Sequence, residues 1–316
     1  HISLLGATGS PIFPMSTSGP TEGYIGDTTV RAMSDWADEV KEAGGLAIVP
    51  HFPFPHSEVI AEVVLGKVDG LEIRDFHVPT MDTFAVHEWY RLMSCGYRVP
   101  AVGGTDKMSA SMPVGGVRTY AYIGDRQLSH QTWSDAVRAG RTYTTSGPLM
   151  DFTVEGLHPG DELSLPEKGG SVHVKAIASC AMPIHKLEIV FNGKVIAQTI
   201  STNDVGEKML VIDENIKLPG SGWVAARAVS QHVAWHVWPV HFAAHTSAVY
   251  VKAGSTGVFD ASLGEYLITT MEGGIEWLDT LATRADSKRH AAIRKVFMEA
   301  IESVRKKMPH QHPDRT

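Results

Sequence analysis

The sequence predicts an α/β fold on a parallel sheet, followed by an antiparallel β-sandwich and C-terminal helices. Three observations carry this reading. Between Gly26 and Pro148 helical and strand patterns alternate four times, which is the rhythm of βα units. From Asp151 the texture changes to short alternating runs joined by Gly, Pro and Asn turns. From about Gly257 onward the pattern is helical, and an apolar stripe recurs along one face. The predicted divisions are a partial (β/α) barrel over 1–150, a β-sandwich over 151–252 and a helical segment over 253–316.

Taken in order, Asp27 is placed to cap a helix whose stripe runs Val30, Met33, Ala37 and Val40, and Gly44 and Gly45 stop it before the strand GLAIVP. Ser57 opens a second helix through Ile60, Val63 and Val64, closed by Gly66, and DGLEIRD reads as the next strand. A third helix holds Phe84, Trp89, Leu92 and Met93, ends near Gly96 and leads into VPAVGGTD. A fourth, from Trp133 to Ala139, precedes TYTTSGP. In the second division FNGK joins two apolar runs, a hairpin signal because Asn-Gly tolerates the positive φ of a tight turn. In the tail Ala292, Ile293, Val296, Phe297, Ala300, Ile301 and Val304 share one face, which covers the barrel or the sandwich or else forms a homodimer contact.

With 316 residues, 43% hydrophobic and 20% charged, the chain has the composition of a soluble globular protein, and no apolar run is long enough to cross a bilayer. A net charge of -7 argues against a phosphate-backbone binder, so a small-molecule substrate is expected rather than nucleic acid or membrane. Cys95 and Cys180 fall in separate divisions and are read as buried thiols, so no disulfide framework is indicated. The compartment stays open, with the cytoplasm favoured over the periplasm. No charged-then-apolar leader precedes the first strand, and no signal peptide is expected in this stretch.

In a parallel βα barrel the C-terminal strand ends face one mouth, where catalytic groups collect. His51 directly follows GLAIVP and Asp106 directly follows VPAVGGT, so both fall at that mouth. Imidazole with carboxylate suits zinc, manganese or iron, and an ion with an open position acidifies bound water. The alternative is that His51 bonds backbone and Asp106 caps its loop. His56, at a helix start, and His77, past the next strand, are candidate substrate contacts, with structural roles as the alternative. Glu72 and Arg74 share one strand face, where Arg74 binds a substrate oxygen or forms an ion pair. Lys107 can polarise a carbonyl or stay a solvated loop charge. No catalytic acid or base is assigned.

The strings HISLLG, VPHFPFPH, YRVPAVGGTDKM, PVGGVRTYA, GRTYTTSGPL and HTSAVYV together resemble the CehA/McbA group of metallohydrolases in the polymerase and histidinol phosphatase (PHP) superfamily, over about residues 1 to 305. The resemblance implies a distorted PHP-type barrel, a cofactor of one to three divalent ions, zinc or manganese, and cleavage of ester, carbamate or amide bonds. It implies His51, in PHFP, as a ligand, Asp106, in GGTDKM, as a second and His1, in HISLLG, as a third. Met108 stands where the family pattern has a final His. The family's first two motifs are missing, and four βα units are too few to close a barrel, so about three units are expected upstream. Phosphoester cleavage is an alternative activity, and a non-catalytic binding module on a degenerate barrel is another. A serine hydrolase is excluded, since there is no G-x-S-x-G elbow, and no phosphate-cradling Gly loop is present.

Overall fold

The structure, a computed structural model, describes residues 1–12, 31–74, 84–107, 110, 114–234, 240–282 and 286–308. Asp27, His77 and Met108 lie outside the described residues, as does the side chain of Arg74. The chain is mixed α/β, with six helices and several sheets among the described residues.

The first sheet contains β1 (Ser3–Leu5), β2 (Leu46–Val49), β3 (Gly70–Arg74) and β4 (Ala101–Gly103) in that spatial order, interleaved with α1 (Met33–Glu42), α2 (His56–Val64) and α3 (Phe84–Ser94). Strands β2, β3 and β4 run parallel, as the alternation predicts, and all four residues of β2 are buried. At the edge, β1 pairs antiparallel with β2, Ser3 opposite Ile48. Asp35 Oδ2 accepts the Ala32 N–H at 3.3 Å at the start of α1, Met33, Ala37 and Val40 are buried, and Gly44 at φ 78° turns the chain out of the helix. The result is half of a curled barrel with helices outside.

The rest of the chain builds β5 (Arg118–Ala121), α4 (His130–Arg138), β6 (Thr142–Thr145), β7 (Leu149–Val154), β8 (Glu162–Leu165), β9 (Gly170–Ile184), β10 (Lys186–Phe191), β11 (Lys194–Ile200), β12 (Glu207–Leu218), β13 (Gly222–Ala234), β14 (Val240–Thr246), β15 (Val249–Ala253), α5 (Ala261–Thr280) and α6 (Ser287–Lys307). An eight-stranded sheet runs β11-β10-β13-β14-β6-β5, with β15 joined to β13 and β8 to β15. A three-stranded sheet, β12-β9-β7, faces it across a core that includes Phe152, Val174, Leu187, Ile189, Ile212 and Val224. The FNGK hairpin forms between β10 and β11, with Asn192 and Gly193 at φ 46° and 79°. TYTT departs from its sequence reading: it does not extend the parallel sheet but pairs antiparallel with β5 and β14.

Hydroxyl groups join the two large pieces. Ser247 Oγ accepts the Ala101 N–H at 2.9 Å, while Thr142 Oγ1 donates to Ala101 O at 2.7 Å, so β4 is tied to the eight-stranded sheet without strand pairing. Tyr90 Oη and His245 Nε2 meet at 2.6 Å. The other ring nitrogen of His245, Nδ1, lies 2.8 Å from Thr246 O, to which it donates, so Nε2 accepts from the tyrosine. Most of the HTSAVYV string therefore does structural work at this seam.

One apolar core runs through both pieces. Trp89, Leu92 and Met93 of α3 pack with Val190, Trp223 and Ala225 of the large sheet and with Leu267, Phe297 and Ile301 of α5 and α6. Of the C-terminal stripe, Ile293, Phe297, Ala300, Ile301 and Val304 are buried within the chain, while Ala292 is exposed and Val296 half-buried. Cys95 is buried and Cys180 half-buried, and both are free thiols. Burial pushes the Cys95 thiol up to about 12.

Candidate functional site at the strand ends

The antiparallel edge of the small sheet determines what meets at its mouth. Because β1 runs against β2, the second residue before β1 comes beside the second residue after β2, and His1 Nδ1 lies 2.7 Å from His51 Nε2. The rings meet edge to face, with centroids 4.9 Å apart. At that separation one nitrogen carries the proton and the other offers a lone pair, so two ligand-type nitrogens are brought side by side. His1 is exposed and His51 half-buried, so the pair is open to solvent.

His51 sits at φ 38°, a left-handed conformation that costs an L-residue with a side chain on the order of 1 kcal/mol or more. Its N–H donates to Glu72 Oε2 at 2.9 Å. Glu72 stands on the central strand, opposite Val102 of β4. Its other oxygen lies against the α-carbon of Gly104, where an added methyl group would overlap Oε1. Asp106 follows at φ 46° and, like Lys107, is exposed. The loop that carries both is pinned by Thr105, whose Oγ1 donates to Val117 O and accepts the Gly115 N–H, each at 3.0 Å.

Strand-end position brings His51 and Asp106 to one mouth, and the family resemblance adds His1; the structure places His1 and His51 in contact. Asp106 ends the loop two strands away. Among the described residues no three His, Cys, Asp or Glu side chains gather to hold a metal ion. The residues present fit an ion through the two imidazole donors of His1 and His51, the borderline chemistry that suits zinc, while manganese would lean more on carboxylate oxygen. The stretches that follow in sequence, 75–83 and 108–113, lie outside the described residues apart from 110. His77 is on the first of these.

His56 opens α2 and is engaged in a cluster that spacing alone does not reveal. Its Nε2 lies 2.8 Å from Oε2 of Glu88, a carboxylate only 1% exposed, and Tyr266 Oη donates to the other oxygen at 3.0 Å. Arg91 pairs with the same carboxylate and lies over the Tyr266 ring. Burial, and then the Arg91 charge, hold the His56 imidazole below its ordinary value, so it is neutral at pH 7 and Nε2–H is the donor. Phe84 packs edge-on against the ring. His56 therefore fills a helix-layer contact while keeping a quarter of its side chain exposed. Glu88 and Tyr266, 32 and 210 residues away in sequence, carried no local signal.

Another acid was not legible either. Glu62, on the buried face of α2, is fully inaccessible, and neither of its oxygens makes a regular hydrogen bond. Burial, with the neighbouring Glu58 charge second, pushes its carboxyl well above the usual range, and the Ser34 backbone N–H offsets this only in part.

Compared with known proteins, the chain matches no protein-family model, no curated protein and no solved structure.

Proposed function

We propose that this chain is a metal-dependent hydrolase of the CehA/McbA type within the PHP superfamily, acting on an ester, carbamate or amide bond. The observation that carries the reading is the His1–His51 pair, two imidazole nitrogens 2.7 Å apart at the mouth of a half-barrel. Two such nitrogens repel when both are unprotonated, and a divalent ion bound by both would remove that repulsion. The strings shared with that family support the same reading.

When bound, a divalent ion there supplies Lewis-acid polarisation and a water acidic enough to ionise near neutral pH. His1 and His51 hold it and Asp106 adds a carboxylate from the β4 loop, while Arg74, His77 and Lys107 orient the substrate's oxygens from the neighbouring loops. His56, neutral at pH 7, lies at the same end of the helix layer and contacts the substrate through its exposed edge. A non-catalytic module is the second reading, favoured by the lack of a three-ligand group among the described residues.

Metal analysis separates the two. The hydrolase purifies with, or takes up, near-stoichiometric zinc or manganese, cleaves an aryl ester or aryl N-methylcarbamate, loses that activity on chelation and regains it with metal. A phosphodiester probe tests the phosphoesterase variant in the same assay. A chain that takes up no metal and cleaves none of these probes sinks the hydrolase.

A further inference from the structure

The carboxylate of Glu72 reaches both loops that carry the proposed ligands. It stands on the middle strand of β2-β3-β4, so one side chain reaches both neighbours. On one side Oε2 accepts the His51 N–H at 2.9 Å. That bond falls on the residue whose φ of 38° is unfavourable for a side-chain-bearing residue, and a strained conformation persists only where its surroundings hold it. On the other side Oε1 lies where a Cβ added at Gly104, two residues before Asp106, would sit, so a larger residue there has to push the carboxylate aside. The half-buried setting strengthens a charge-assisted hydrogen bond that water would weaken.

We infer that Glu72 is a positioning residue: by accepting the His51 N–H and packing on Gly104, it fixes the left-handed His51 turn and spaces the His51 loop from the Asp106 loop. Gly104 is the matching half of the device, because it leaves room for the carboxylate. The inference rests on the proposed metal site only for its consequence in binding. The geometry it assigns to His51 does not depend on an ion.

Three variants test it in the intact chain: Glu72→Ala removes the acceptor, Gly104→Ala keeps the carboxylate but displaces it, and Glu72→Gln keeps an oxygen that accepts the same N–H. The readouts are Co²⁺ affinity by its visible absorption and the His51 ring resonance in a histidine-labelled sample without metal, with far-UV circular dichroism as the check on folding. Loss of an outer partner of a metal ligand typically weakens binding by about 10- to 100-fold. Glu72→Ala and Gly104→Ala are expected to weaken Co²⁺ by about tenfold or more and to shift or broaden the His51 resonance. Glu72→Gln stays within about threefold of the unaltered chain, which a role as a bare charge or as a metal-binding carboxylate does not give. An alanine variant that binds Co²⁺ and shows His51 as the unaltered chain does overturns the inference, and so does a glutamine variant as weak as the alanine one. If the unaltered chain binds no Co²⁺, the proposed function fails, and the His51 resonance still decides the role of Glu72.

Discussion

The two ends of the small sheet use polar groups in opposite ways. At the end where the parallel strands begin, Asp69 is 9% exposed and accepts the Ala47 N–H at 2.9 Å, with Lys41 and Arg138 each within 4 Å of its other oxygen. Arg138 also donates to Gly45 O. Charge there is neutralised and used for cohesion. At the end where the strands finish, two imidazoles face each other in reach of solvent, and the two non-glycine residues there, His51 and Asp106, hold positive φ. Cohesion at one end permits strain at the other, which is the arrangement expected when chemistry belongs to the strand ends and stability to the base.

The largest effect expected from breaking this contrast concerns a base-side acid that lacks the cations of Asp69. Glu62 has its folded carboxyl raised, so its contribution to stability is full below the usual value of 4.5 and is lost as pH rises through the folded value. One such proton gives a slope of at most about 1.4 kcal/mol per pH unit. Glu62→Gln is therefore expected to match the natural chain at low pH and to become progressively more stable as pH rises. Thermal melts of both from pH 5 to 8 measure this, and parallel curves would refute it.

Asp69→Ala comes next. It strands the Ala47 N–H in a buried place and leaves two cations side by side, at a cost of about 2 kcal/mol and several degrees in Tm. Metal uptake at the far mouth should not change, and a large loss there would erase the division between the two ends.

The smallest effect has the opposite sign. His51→Gly relieves the left-handed strain and should raise stability by about 1 kcal/mol or leave it unchanged, while metal uptake falls by about tenfold or more. Calorimetry with metal analysis reads both numbers, and a variant that melts several degrees lower would show that His51 serves the fold.

Local patterns disclosed the elements whose partners are neighbours in sequence. The run from GLAIVP through GLEIRD to VPAVGG appears as β2, β3 and β4 with their helices, because each strand pairs with the next one along the chain. The register of β1 was hidden, since three residues carry no period of their own. TYTT was misjudged because one of its partners, β14, lies about a hundred residues downstream. His51 and Asp106 were legible by standing at strand ends. Alternation placed Glu72 on a face, but nothing in it shows that the carboxylate bends back to a backbone N–H of the preceding loop. The Glu88 cluster around His56 needed α5, which only tertiary packing supplies.

Trp89 and Trp223, both wholly inaccessible, stand 6.4 Å apart across the seam between helix and large sheet. Such a tightly filled joint has no slack for one half to swing against the other, and cutting the polypeptide near residue 150 would lay both indoles bare. The two halves are therefore expected to lose their packing together, because each supplies one of the indoles that close the joint.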